Sequence, residues 1–331
     1  IRSALKRLHL KRAKIHTIRH RAFYYLPKLQ ELDISENDII DFDKTIFDQL
    51  TSLQKLSSSE YKFCCIATVT KCLPEADVFS SCADLMANET LRILLWIMGS
   101  LALFGNSVVI FLRFKSKGEN QVHTFLISNL GAADMLMSVY LLTIAIADLV
   151  YRGRYIEEDK KWRASALCSI AGIAASTSSL GSLHMLLVIT LNIFHAIVFP
   201  YSSFKLNKKR AVVLIAIVWI LALFISAFPA MYYPYFQGKF YGRSTVCLPL
   251  HITSDTYTGW LYSFLSLTLI PTFATVMLLI AYIWMYYSIR QTEVSAGNKS
   301  SHNVRVFRQM LLIISTDLCC WMPISILGEY S

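Results

Sequence analysis

Thr316-Asp317-Leu318-Cys319-Cys320-Trp321-Met322-Pro323 sets an acid and a proline inside an apolar run long enough to cross a lipid bilayer. An ionised side chain at mid-bilayer costs at least about 2.5–3.5 kcal/mol, so it needs a partner or water and marks a working position. Five comparable runs precede it, and the six are read as helices over 91–114, 125–149, 168–199, 211–232, 260–289 and 306–327. Each supplies the about 20 residues that span about 30 Å of hydrocarbon. Composition agrees: 55% hydrophobic residues and a mean hydropathy of +0.46 exceed what a soluble domain of this length carries.

Ahead of the apolar runs lies a repeat. Leu5, Leu8, Leu10, Ile15, Ile18, Phe23 and Leu26 recur as Leu29, Leu32, Ile34, Ile39, Phe42, Phe47 and Leu50, a constant shift of 24, and Leu53 and Leu56 open a third copy. Such a period is the mark of a leucine-rich solenoid, in which each turn buries its leucines only against its neighbours. The strands should present Lys6, Arg7, His9 and Lys11, then Gln30, Glu31, Asp33 and Ser35, on the concave face. Glu31 and Asp33 are the ligand-facing candidates; the competing reading is a solvated face. The chain begins at Ile1 inside a repeat and stops at Ser331 just past the sixth run, which reads as a fragment of a longer protein.

Cys64, Cys65, Cys72 and Cys82 crowd the stretch between repeats and first helix, as in a disulfide-closed hinge of an oxidising compartment. Four cysteines allow three pairings, of which a bond between adjacent Cys64 and Cys65 is the least suitable. Zinc is disfavoured, since no histidine lies in the segment and the spacing matches no common finger. Cys168 and Cys247 form a second pair by position, whereas Cys319 and Cys320 lie mid-helix as small apolar residues.

The distribution of basic residues favours one orientation. Arg113, Lys115, Lys117, Lys205, Lys208, Lys209, Arg210, Arg290, Lys299, Arg305 and Arg308 fall in loops on one side. The opposite loops hold Arg152, Arg154, Lys160, Lys161, Arg163, Lys239 and Arg243, offset by three acids, so the amino terminus is placed outside the cell. A net charge of +10 spread over both sides makes no case for nucleic acid. Asn88-Glu89-Thr90 is an external glycosylation sequon set very close to the membrane, and Asn298-Lys299-Ser300 faces the cytosol. Inside the helices, Asn106, Asp134, His184, Asn192 and Asp317 must each find a partner. No P-loop, nucleophile elbow or HExxH pair is present, so no enzyme is expected.

Gly105-Asn106, Leu130-Gly131-Ala132-Ala133-Asp134, Trp162 with Cys168, Trp219 and Cys320-Trp321-Met322-Pro323, in that order, resemble the rhodopsin-like G-protein-coupled receptors. Asp317, in place of the usual phenylalanine, resembles the subfamily with leucine-rich-repeat ectodomains. Ala133-Asp134 with Leu136-Met137, Tyr151-Arg152-Gly153-Arg154-Tyr155, Ile197-Val198-Phe199-Pro200 and Val246-Cys247-Leu248-Pro249-Leu250 look like its relaxin-receptor type. The cysteine pattern with Cys82-Ala83-Asp84-Leu85-Met86 looks equally like the glycoprotein-hormone receptors.

The resemblance implies a mostly α fold: a rhodopsin-like bundle with six of its seven helices in 91–331, after a solenoid end (α/β) in 1–57 and a cysteine-rich hinge in 58–90. It implies a plasma-membrane receptor for an extracellular peptide or protein hormone of relaxin-like type, coupled to a heterotrimeric G protein, with cAMP as the signal. Trp321 and Pro323 would pivot the sixth helix, Asp317 would restrain the resting state, and Asn106, Asp134 and Ser182 would belong to the switch. No cofactor is implied beyond an allosteric sodium ion at Asp134. Asn192-Ile193-Phe194 departs from the family: it occupies the G-protein-facing acidic-basic-aromatic triplet without either charge. Leu180 stands where relatives carry a glutamate, and Pro271 and Tyr282 are spaced eleven apart, wider than usual. The rival reading is a leucine-rich-repeat membrane protein that adheres to or sequesters a ligand without signalling.

Overall fold

A 24-residue period brings the same position of successive turns side by side. The computed structural model describes residues 4–37, 39, 41–75, 82–86, 88–115, 121–202, 206–236, 238, 240–248 and 259–296. In it β1 (Arg7–His9), β3 (Glu31–Asp33) and β5 (Lys55–Ser57) pair in parallel, with Leu8, Leu32 and Leu56 in register. On the other side of each turn, β2 (Thr17–Ile18) pairs with β4 (Asp41–Phe42). Between the two sheets lie Ile18, Phe23, Leu29, Leu32, Ile34, Phe47 and Leu56, and Phe23 stacks on Phe47 one repeat later. Each fully buried Leu or Phe contributes roughly 1.5–3 kcal/mol.

The turns that leave the sheet need more than apolar contact. Asn37 is buried there, donating to the carbonyls of Leu10, Ile34 and Ser35 at 2.7, 2.9 and 3.1 Å and accepting from Ile15 N–H at 3.1 Å. Arg12 and Glu36, 24 apart, both adopt positive φ and form an ion pair with each other.

The solenoid sheet continues into the cysteine-rich stretch. After the short helix α1 (Lys62–Ile66), strand β6 (Lys71–Leu73) adds to β5 as a fourth strand. Neighbouring residues on a helix point about 100° apart, so Cys64 and Cys65 reach different partners: Cys64 bonds Cys72 on β6, and Cys65 bonds Cys82.

Two compact units divide the chain, one of Ile1–Arg92 with Ala147–Trp162, the other of Ile93–Ile146 with Arg163–Ser331. Among the described residues five helical segments are long and apolar enough to cross a membrane: α2 (Glu89–Lys115), α3 (Gln121–Tyr151), α5 (Ala166–Val198), α6 (Lys208–Met231) and Trp260–Gln291. Their bounds lie within a few residues of the first five expected spans; the sixth, with Asp317, Trp321 and Pro323, lies outside the described residues. The last of the five segments runs through α8 (Trp260–Ser263), a π-helical turn (Phe264–Leu269) and α9 (Ile270–Ala296), with α7 (Tyr233–Phe236) before it. Between α3 and α5 the short helix α4 (Tyr155–Arg163), with Tyr155, Asp159 and Trp162 buried, had no counterpart among the expected elements.

Ser165 caps α5 by accepting from Cys168 N–H, and Asn207 caps α6 by accepting from Arg210 N–H. In α5, Ala171, Gly172, Ala175, Ser176, Ser178, Gly181 and Ser182 are buried, since small residues let helix backbones approach closely in lipid. Leu126, Leu130 and Ala133 of α3, Leu186 and Ile189 of α5, Ile215 of α6 and Leu278 and Tyr282 of α9 form the bundle core. Phe104, Phe111 and Phe114 of α2 lie 61–81% exposed, as expected of side chains whose solvent is lipid.

Candidate functional site

Polar groups inside an apolar bundle take the partners its geometry allows. Asn106 donates to Ala102 O at 2.9 Å and Ser182 to Ser179 O at 3.4 Å, both within their own helices. His184 Nδ1 bonds Leu180 O at 2.6 Å, a structural satisfaction inside α5. Cross-helix bonds come from other residues: Ser178 donates to Ala133 O at 2.7 Å, beside Asp134, and Trp219 Nε1–H donates to Asn129 Oδ1 at 3.1 Å. Gly131, three residues before Asp134, lies beside Asn106 and Ile110. Replacing Trp219 by Phe keeps most of the ring and removes the α6–α3 bond, worth about 1 kcal/mol in a membrane protein. The purified protein should then melt about 2–4 °C lower; an unchanged melting temperature would assign Trp219 to packing alone.

At the end of the bundle where α5 begins, Cys168 bonds Cys247. The loop so tethered is built into the interior. Tyr241 is buried and donates to Ser226 O at 2.5 Å, while Tyr140 donates to Val246 O at 2.8 Å. Burial pushes the Tyr241 phenol above its ordinary value, which keeps it a donor. Phe236, Phe240 and Tyr262 pack round it, and Ser176, Ser226, Tyr262 and Ser266 line a small cavity beside it.

At the opposite end of α5, Ile193 is buried in the bundle core with Leu126, Ile127 and Met285. Phe194 packs edge-on against Trp284 at 5.6 Å and Phe199 at 6.2 Å, while Asn192 is half-buried. Thr190 and Tyr282 bring their hydroxyls to 3.5 Å nearby.

On the solenoid, Glu31 and Asp33 belong to a ladder of contacts between turns. Glu31 pairs with Lys55 at 2.5 Å; Asp33 accepts from Ser35 N–H and Oγ at 2.9 and 2.6 Å, with His9 at 3.8 Å. The Lys55 hydrogen bond holds the Glu31 carboxyl below its usual range. Asn88, exposed, uses its side-chain oxygen to accept from Thr90 N–H at 2.8 Å as α2 begins.

A further polar cluster, at the end of α3, was not among the expected site residues. Asp148, 1% exposed near the end of α3, accepts from Arg92 Nε at 2.6 Å, Met86 N–H at 2.9 Å and Arg152 at 3.4 Å. Arg92 also reaches Asp84 at 2.7 Å and Met86 O at 3.0 Å, and Asp84 accepts from Gly153 N–H at 2.9 Å. Burial would raise the Asp84 carboxyl, but the Gly153 amide and Arg92 outweigh it and hold it below the ordinary aspartate range. The available signal was Asp148 itself, an acid inside an expected span.

Residues 105–330 match the family described as 7 transmembrane receptor (rhodopsin family), and residues 3–57 match the leucine rich repeat. The chain is 41% identical over 86% of its length to the G-protein coupled receptor GRL101 of Lymnaea stagnalis, and 33% identical over 88% to relaxin receptor 2 of Canis lupus familiaris. It is 29% identical over 86% to the lutropin-choriogonadotropic hormone receptor of Homo sapiens. It spans 26%, 40% and 39% of the lengths of these three relatives, all of which are receptors. Squid rhodopsin has the same fold at 18% identity, with a TM-score of 0.58 covering 73% of this chain and 68% of that one. The chain therefore belongs to the rhodopsin family of seven-transmembrane receptors, in the branch whose members carry leucine-rich repeats ahead of the helices.

Proposed function

We propose that the protein is a plasma-membrane receptor, amino terminus outside, that binds a peptide or protein hormone of relaxin or insulin-like type and activates a heterotrimeric G protein, with cAMP as its signal. The observation that carries this reading is the joining in one chain of a leucine-rich-repeat segment, 3–57, to a rhodopsin-family segment, 105–330. The relatives named for relaxin and for lutropin-choriogonadotropic hormone support it. In such a receptor a hormone shifts a two-state helix equilibrium only by its differential affinity for the two states. The full-length gene product, expressed with a surface tag, should raise cAMP on addition of relaxin-like peptides; a receptor present at the surface and silent to them loses the ligand assignment.

Asp317 is assigned the restraint of the resting state, with Trp321 and Pro323 as the pivot, because proline frees a backbone carbonyl and permits a kink. Asp317→Asn should raise hormone-free cAMP several-fold, and unchanged basal output at normal surface level would remove that role. A sodium ion would be held by the Asp134 carboxylate and the Ser182 hydroxyl, whose 3.4 Å bond to Ser179 O is long enough to give way. Its contribution would be to neutralise a charge carried inside an apolar helix. Glu31 and Asp33 stand as the ligand-facing candidates. Asn192, Ile193 and Phe194 stand as the G-protein-facing positions.

A second reading, a membrane protein that captures or adheres to a ligand without signalling, is favoured by one feature. Ile193 is buried in the bundle core where coupling receptors carry a charge, and Asn192 supplies none beside it.

A further inference from the structure

The cluster round Asp148 captures a piece of backbone. Residues 82–86 follow directly on the Cys65–Cys82 disulfide, so their position is tied to the cysteine-rich stretch that ends the solenoid. Both backbone groups of Met86 are taken by one ion pair, its N–H by Asp148 and its carbonyl by Arg92. The flanking grip is equally specific. Arg92 spans two carboxylates with different nitrogens, Nε to Asp148 and Nη2 to Asp84, a use of the rigid guanidinium fork that a lysine cannot reproduce. Asp84 reaches on to the Gly153 amide, at a residue with φ of 75°, just past the end of α3. Leu85 and Met86 are themselves buried, so charge, backbone and side chains agree on one position. Met86 is six residues from Arg92 but 62 from Asp148, so the pair joins the segment to the starts and ends of two different helices.

We propose that Arg92 and Asp148 are positioning residues for transmission: their ion pair seats residues 83–86 against the first turns of α2 and the last turns of α3. A displacement of the disulfide-bound segment is then either passed to those two helix ends or breaks the pair. The proposal rests on the receptor reading for its consequence, but its geometry is testable without any hormone.

The experiment is a double-mutant cycle in the full-length protein, using Asp148→Asn and Arg92→Gln, with Arg92→Lys as the milder variant should the others reach the surface poorly. Two readouts are taken: amide hydrogen exchange over 83–88 in detergent or nanodiscs, and hormone-free and hormone-stimulated cAMP at matched surface level. Each single variant should speed exchange in that segment at least tenfold while α5 stays protected, and the double variant should add little to either single. Each should also shift hormone-free output at least threefold in the same direction, with Arg92→Lys intermediate. Unchanged exchange over 83–88, or additive effects in the double variant, overturns the seating. Faster exchange with unaltered output, in a receptor whose parent responds to hormone, overturns the transmission role and leaves a merely structural pair. If the parent answers no hormone, the receptor reading fails, and the exchange arm still decides whether the pair seats the segment.

Discussion

Gly172→Val should remove at least nine-tenths of the protein from the cell surface. A Cβ at this position, one turn after Cys168 on α5, would overlap the Tyr241 ring and the Cys247 carbonyl. Neither neighbour can step aside. Tyr241 is fixed by its bond to Ser226 O and by the rings of Phe240 and Tyr262, and Cys247 is fixed by its disulfide and by a backbone held at φ of 57°. Overpacking of an ordinary core costs about 1–3 kcal/mol because side chains repack. Here one clash is with backbone, so the alternative is to lift the whole loop out of the bundle and expose the buried Tyr241 and Val246. Flow cytometry on an amino-terminally tagged full-length chain reads the result, and Cys168→Ser should match it because it releases the same loop. Gly105→Val is the control, since among the described residues nothing beyond its own stretch of helix lies within 4 Å of a Cβ built there. Surface levels of Gly172→Val equal to wild type would mean that the loop is not seated against α5.

The elements of this fold that repeat or persist were legible in the sequence. The shift of 24 gave the strand register directly, and runs of about 20 apolar residues gave the five long helices of the described residues, because both signals are local and redundant. What escaped depends on contacts between distant residues. Asp148 sits three residues before the end of α3, where an acid reads as belonging to the interface, and nothing local says that Arg92 will neutralise it. The helix α4 has a low apolar content, so what distinguishes it from a charged loop is its burial of Tyr155, Asp159 and Trp162. Cysteine connectivity needed the direction of two side chains on one helical turn. Glu31 and Asp33 were placed on the strand face by pattern, but their neighbours Lys55 and His9 engage them across the turns, which alternation alone does not specify.

Asn37 escaped for a different reason, and it carries the second large effect. A repeat signal needs two copies, and the position 24 residues earlier is Ala13, so the polar residue appears once. The structure explains how one copy suffices. Asn37 bonds Leu10 O and Ile15 N–H of the first turn and Ile34 O and Ser35 O of its own, fastening two turns together from a buried position. Asn37→Ala should therefore strip partners from backbone groups that solvent reaches poorly, at about 1–3 kcal/mol for each group left buried and unsatisfied. Partial relaxation makes about 3 kcal/mol a reasonable net figure, a large share of the about 5–15 kcal/mol that holds a typical domain. By the tenfold-per-1.4 kcal/mol rule, amide exchange near 10–15 and 34–37 in the full-length protein should quicken about 150-fold. The adjacent Glu36→Ala removes the ion pairs to Lys11 and Arg12, which are exposed, and should leave exchange there nearly unchanged. If Glu36→Ala loosened the turns as much as Asn37→Ala, charge rather than the buried amide would be what joins the repeats.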